Sequence, residues 1–301
     1  MASPDYDSLP VCCACGTQYH QLGPDRRCRI CDDPRQFIPP TGQQWTTLKE
    51  LQGKHENVFS ADSLAGDPDI LSIQTEPKFA IGQRCLLLKT PHGNILWDLI
   101  AFLDAATVAR IRHEGGLAAI IISHPHFYTT HAAWSQAFAC PVYTFQQDES
   151  WFNMPSTAPG LQRSVVSAHR YAPAGLPDVQ VILCGGHFDG SSVLHWPAKD
   201  ALFVADTLFV VPSALNPHPR PAGHPTFSFM WSIPNELPLG PDAIYRIWKA
   251  LDGIEFRKAY GLLPQKQVMD EAGLRGRLLE SMQITLRCAG HPDHPLLCVR
   301  V

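Results

Sequence analysis

No stretch of this 301-residue chain approaches the roughly 20 consecutive apolar residues that a membrane-crossing helix needs, and the densest run, 116–122, is only as long as a strand. A membrane partner is therefore not expected. An excess of one charge sign is missing too: 24 Lys plus Arg face 28 Asp plus Glu, for a formal net charge of -4. No basic field is available to hold a phosphate backbone, so nucleic acid is not an expected partner. The opening ten residues, MASPDYDSLP, carry two acids and two prolines but no apolar signal core, which predicts a cytoplasmic or nuclear protein in a reducing compartment. There is no GxGxxG dinucleotide fingerprint and no repeat of fixed period. At 45% hydrophobic and 17% charged residues, the composition excludes disorder and coiled coil, and the length suffices for a full core.

Ten cysteines are present, and four of them fall into two Cys-x-x-Cys pairs. Cys12 and Cys15, then Cys28 and Cys31, are separated by twelve residues, a spacing that lets two knuckles close a tetrahedral four-thiolate site. Gly16 suits a knuckle turn with positive φ, and the polar segment 18–27 cannot build a core unaided, which fits a metal-nucleated ribbon. Zn2+ in a structural role is expected there. The run 12–19 also resembles the first knuckle of rubredoxins, which keeps iron open, although Cys28-Arg-Ile-Cys31 lacks the Pro and Gly of the second rubredoxin knuckle. His20 is expected in solvent, because four thiolates already complete a tetrahedron. The ribbon is also a candidate surface for a protein partner.

Pro39-Pro40 and Gly42 mark a linker, dividing a metal ribbon over residues 1–42 from a larger domain over 43–301 with a loose tail from about 286. The larger part predicts strands at 69–75, 84–90, 93–99 and 117–122, with a helix over 104–114 ending at Gly115-Gly116. A helix over 132–139, strands over 141–145, 179–184, 192–196 and 201–205, and helices over 241–251 and 266–284 follow. Phe227, Phe229 and Trp231 alternate at strand spacing and are read as core or pocket wall. The proline-rich loop after Asp206 is a candidate pocket rim; its His218 and His224, and His291 and His294 in the tail, are expected at the surface.

His124-Pro-His126 follows directly on the apolar run 117–122, so both imidazoles leave the carboxyl end of a central strand, where α/β folds place their sites. The same layout recurs twice: 181–184 runs into Gly185-Gly186-His187, and 202–205 runs into Asp206. Asp98, after the strand at 93–97, is placed to orient ligands from behind.

These residues resemble the metallo-β-lactamase superfamily, whose signature is an early strand-end Asp, a His-x-His-x-Asp-His loop, a Gly-His near a Gly-Ser, and a later strand-end Asp. Asp98, His124, His126, His187 and Asp206 match in order. The resemblance implies an α/β fold, a four-layer αβ/βα sandwich over roughly 69–284, with a metal in its cleft and the small N-terminal metal ribbon outside it. The loop Asp and second His fall at Tyr128 and Thr129, and the last family histidine is absent from 260–264, so one metal is expected, held by His124, His126, His187 and Asp206. His131, two residues beyond the usual position, is either a substitute ligand or a helix-start residue.

Three histidines favour Zn2+, whose bound water becomes acidic enough to attack a carbonyl at neutral pH. The expectation is a hydrolase of a small-molecule ester, thioester, lactone or similar bond, with Asp206 as ligand or proton acceptor and Tyr128 as donor to an oxyanion or leaving group. Two alternatives stand beside it. His124, His187 and Asp206 form a 2-His-1-carboxylate set for Fe2+, which resembles the persulfide dioxygenases; or the site has lapsed into a non-catalytic binding scaffold.

Overall fold

The computed structural model describes residues 5–216, 221–263 and 265–301, so His218 lies outside the described residues. The chain forms two compact units, Met1–Ser167 and Ala168–Val301, each built on its own sheet.

The large sheet of the first unit has seven strands in sequence order: β1 Glu56–Ala61, β2 Ile70–Glu76, β3 Arg84–Thr90, β4 Gly93–Trp97, β5 Ala119–Ile121, β6 Pro141–Phe145 and β7 Gln162–Val166. β1 to β4 form an antiparallel meander, and β4 to β7 pair in parallel. Parallel neighbours need crossovers, and the sequence supplies helices for two of them: α1 Ala105–His113 between β4 and β5, and α2 His131–Phe138 between β5 and β6. Asp104 caps α1 by accepting from the Thr107 N–H at 2.8 Å, and Arg110, Arg112 and His113 complement the negative end of the helix. Asn94 on β4 then donates to the carbonyls of Glu114 and Gly116, fixing the turn that delivers the chain into β5. β5 is buried throughout, as its uniformly apolar sequence predicts.

The cysteine segment belongs to this unit. Val11–Cys12 pairs with Trp45–Thr46, so the chain on both sides of the Pro39-Pro40 linker is stitched into one small ladder. Tyr19 and Ile30 pack with the four cysteines beneath Trp45, Ile81 and Trp151.

The main sheet of the second unit has six strands in spatial order: β8 Arg170–Tyr171, β9 Gln180–Leu183, β10 Ser192–Trp196, β11 Ala201–Phe203, β12 Lys258–Tyr260 and β13 Gln267–Met269. All pairs are antiparallel except β11 with β12. Helices α3 Pro241–Ala250 and α4 Arg275–Cys288 lay Ile244, Ile247, Leu278 and Met282 against Ile182, Val193 and Leu202 of the sheet. Proline at the first position of α3 is suited to a helix start, where its missing N–H leaves no bond unmade. Phe227 and Phe229 join this core, as expected from their alternation.

Three local expectations need correction. The helix expected over 266–284 is a strand, β13, followed by α4, because Gly273 at φ +93° turns the chain between them. Two strands escape the hydrophobic pattern: β1 and β7 lie at the sheet's edges, where neither face is deeply buried and no alternation is imposed. The tail is docked, not loose: Leu296 is fully buried, and Gln283 donates to the carbonyls of Leu296 and Val299. His294 correspondingly turns inward and accepts from the Leu296 N–H, whereas His20, His224 and His291 are exposed. No helix among the described residues is long and apolar enough to cross a membrane.

Candidate metal centre

Cys12, Cys15, Cys28 and Cys31 bring their sulfurs within 4.8 Å of one another, all four buried and none in a disulfide. The first knuckle turns where the sequence predicts: Gly16 sits at φ +81°, and its N–H donates to the Cys12 carbonyl at 2.8 Å. Sγ atoms of Cys12 and Cys31 are 3.6 Å apart, and those of Cys15 and Cys28 are 3.5 Å apart. Further donors surround the sulfurs, with Gln43 Nε2 at 3.2 Å from Cys12 and the Tyr19 hydroxyl at 3.3 Å from Cys28. Hydrogen bonds from the neighbouring thiols, Cys15 foremost, favour the Cys12 thiolate, whereas burial pushes the Cys15 thiol up. Such a cluster cannot ionise fully without a cation among the sulfurs, and a divalent metal satisfies it.

In the first unit, β5 ends at Ile121 and the chain continues extended through His124, at φ -169° and ψ 170°, into a single 3-10 turn over Pro125–Phe127. His124 and His126 are 2% and 1% exposed, with ring centroids 5.2 Å apart. Asp98 follows β4 at φ +58°, fully buried, and its Oδ1 accepts from the Ser123 N–H at 2.7 Å. Ser123 Oγ in turn lies 2.8 Å from His124 Nδ1. The early Asp thus reaches a histidine through one intervening residue. His126 Nδ1 is 3.4 Å from Gln36 Nε2.

In the second unit, β9 runs into Gly185 and Gly186, at φ +69° and φ +92°. A Cβ on Gly186 would lie 2.9 Å from Leu239 Cδ1, so the Gly-Gly step is needed both for backbone angle and for space. It delivers His187, 1% exposed, whose Nδ1–H donates to the Met230 carbonyl at 3.2 Å. This bond fixes the tautomer and turns Nε2 toward Asp206 Oδ2, 3.7 Å away. Asp206 leaves the end of β11 and is partly exposed.

Other candidates lie elsewhere. Tyr128 is buried, its hydroxyl donates to the Asp148 carbonyl at 3.4 Å, and burial pushes its pKa well above the usual phenol range. The oxyanion role expected of Tyr128 therefore has no geometric support: its phenol packs on Phe152 as a core group. Thr129, also buried, directs its hydroxyl to the Ile100 carbonyl. His131 is neither a surface cap nor part of a ligand group. It opens α2 fully buried, donates from Nδ1 to the Tyr128 carbonyl at 2.9 Å, and packs on Phe152 at 4.6 Å, with burial lowering its pKa to about 4. Residue reading missed Ser123, Gln36 and the Met230 carbonyl as partners of the histidines. Ser123 was detectable as the neighbour of His124; the other two lie 90 and 43 residues away from their histidines and leave no local signal.

The two sheets and the helices packed on them define an α/β protein of the αβ/βα class. Solved metallo-β-lactamases share this fold: DIM-1, 11% identical, aligns with a TM-score of 0.52 over 77% of this chain and 98% of its own. A metallo-β-lactamase from Pontibacter korlensis, 13% identical, aligns at 0.50 over 76% and 98%. The metallo-beta-lactamase superfamily model matches residues 81–246, more than half of the chain. The uncharacterised protein YmaE of Bacillus subtilis is 33% identical over 274 residues, covering 87% of this chain and 92% of YmaE. The chain belongs to the metallo-β-lactamase superfamily.

Proposed function

We propose that the chain is a metal-dependent hydrolase in which His124, His126, His187 and Asp206 hold a single Zn2+, while the four cysteines hold a second, structural Zn2+. The observation that carries this reading is the His187–Asp206 pair, at 3.7 Å beyond the ends of β9 and β11, with the His187 tautomer set by a main-chain carbonyl. Both this pair and His124–His126 lie inside the segment that matches the superfamily. Three imidazoles and one carboxylate suit Zn2+, and the four thiolates suit a closed structural site. A bound Zn2+ supplies Lewis acidity and a water whose pKa falls toward about 7.

The protein's own groups then divide the work. Ser123 and Met230 hold Nδ1 of His124 and His187, leaving Nε2 of each to ligate. Asp206, the least buried of the four, takes the proton lost by an attacking water and passes it to solvent. With Tyr128 committed to the core, no side chain is assigned to the leaving group. The substrate class is a small-molecule ester, thioester or lactone, and the protein is expected in the cytoplasm.

Elemental analysis of protein purified without chelators tests this: two zincs per chain are expected, with His124→Ala and His187→Ala each losing one and Cys28→Ser the other. Ester or thioester hydrolysis should vanish in the histidine variants alone. Full metal content in those variants overturns the histidine site, and one iron in place of the second zinc replaces hydrolysis by oxygenation.

A further inference from the structure

The four cysteine sulfurs are unequally supplied with hydrogen-bond donors. Gln43 Nε2 donates to Cys12 Sγ at 3.2 Å, and the Thr17 hydroxyl lies 3.2 Å from Cys15 Sγ. The Tyr19 hydroxyl lies 3.3 Å from Cys28 Sγ and accepts the Arg29 N–H at 3.1 Å, which leaves its own proton to the sulfur. Cys31 Sγ has no N–H or O–H donor among the described residues; its partner is Cys12 Sγ, 3.6 Å away. Cys31 is also the least buried of the four, 3% exposed against 0–1% for the others. The thiolate is the nucleophilic form of cysteine, and a hydrogen bond to an anionic sulfur stabilises the charge that an electrophile would draw on. With a metal bound, three of the sulfurs are damped in this way and Cys31 is not.

We propose that Cys31 is the oxidation-sensitive thiolate of the cysteine site and Cys12 its resolving partner, so that a hydroperoxide joins this pair in a disulfide and opens the knuckles. The proposal rests on the reading of the four cysteines as metal ligands. In the first step Cys31 Sγ attacks one peroxide oxygen: the S–O bond forms, the O–O bond breaks and hydroxide leaves, the sulfur losing the two electrons that the peroxide gains. In the second, Cys12 Sγ attacks the sulfur of the Cys31 sulfenic acid from 3.6 Å, the S–S bond forms and a second hydroxide leaves. Two thiolates and one hydrogen peroxide thus give one disulfide and two hydroxides, and only Cys15 and Cys28 remain to hold a metal. The effect extends beyond the knuckles. The Gln18 N–H donates to the Thr129 carbonyl at 3.0 Å, and Gly16 packs so closely that a Cβ on it would lie 2.6 Å from Ala101 Cβ. Opening the first knuckle therefore releases contacts with the loop that follows His124 and His126.

Hydrogen peroxide added to the full chain, purified without chelators, tests the proposal, with peptide mapping by mass spectrometry after the remaining thiols are blocked. A Cys12–Cys31 disulfide is expected first, forming in step with release of one zinc per chain to a chromogenic chelator, and dimedone should trap the sulfenic acid on Cys31. Tyr19→Phe removes the donor to Cys28 and should raise the rate of Cys15–Cys28 disulfide formation, between sulfurs 3.5 Å apart, about tenfold, the factor associated with one hydrogen bond to a charged group. A first sulfenic acid on Cys12, Cys15 or Cys28, oxidation confined to Cys13, Cys288 and Cys298 with zinc retained, or an unchanged pattern in Tyr19→Phe overturns the role of Cys31. If the untreated protein holds no metal at the cysteines, the metal reading falls, and the order in which the four sulfurs oxidise still decides whether Cys31 reacts first.

Discussion

Replacement of His131 by leucine tests how far burial controls this fold at low pH. The imidazole is fully buried between Tyr128 and Phe152, and desolvation, the largest influence on it, lowers its pKa from 6.5 to about 4. Above pH 6.5 the ring is neutral folded and unfolded, so it contributes nothing to pH dependence. As pH falls below 6.5 the unfolded chain binds a proton that the native ring refuses, and stability drops by about 1.4 kcal/mol per pH unit. The loss levels off near pH 4, where the native ring also protonates, after a total of about 3 kcal/mol. Leucine removes the titration and the Nδ1–H bond. The Tyr128 carbonyl still accepts from the residue 131 backbone N–H at 3.1 Å, so the constant cost is only about 1 kcal/mol. The assay is urea denaturation of both proteins from pH 7.5 to pH 4. The wild type should be the more stable above pH 6.5, and the variant should overtake it at about pH 5.8. Parallel stability curves across that range refute the burial argument.

Three further outcomes follow from the geometry. Asp98→Ala leaves the buried Ser123 N–H without its 2.7 Å acceptor and should cost about 3 kcal/mol in denaturant unfolding, whereas Asp98→Asn, which keeps an acceptor, should cost less than half as much. Gly186→Ala forces a Cβ onto φ +92° and against Leu239; a loss of about 2 kcal/mol in thermal unfolding is expected, with lower metal content through displacement of His187. Cys28→Ser should abolish hydrogen-exchange protection at Gln18, whose N–H reaches the Thr129 carbonyl, while amides of β10 stay protected; retained protection at Gln18 would show that the knuckle folds without its metal.

Much of the scaffold was legible because strong periodic signals coincide with deep burial. β3, β6 and β10 begin and end where the apolar pattern does, and α1 is announced by Asp104 and terminated by two glycines. The edge strands β1 and β7 were not legible, since a half-exposed edge imposes no alternation. The helix expected over 266–284 absorbed β13 because Gln267–Met269 is too short a run to separate strand from helix by period.

The candidate ligands are a matter of sequence alone. Cys12, Cys15, Cys28, Cys31, His124, His126, His187 and Asp206 were identifiable because ligating atoms must leave strand ends or knuckles at short, regular spacings, and such spacings are local. Tertiary structure decided what surrounds them. It placed Ser123 between Asp98 and His124, set Met230 behind His187, and carried Gln36 to His126. It also withdrew Tyr128 and His131 into the core. A hydrogen-bond partner or a neutral buried ring depends on chain segments distant in sequence, and only their packing determines which groups meet and which lose contact with water.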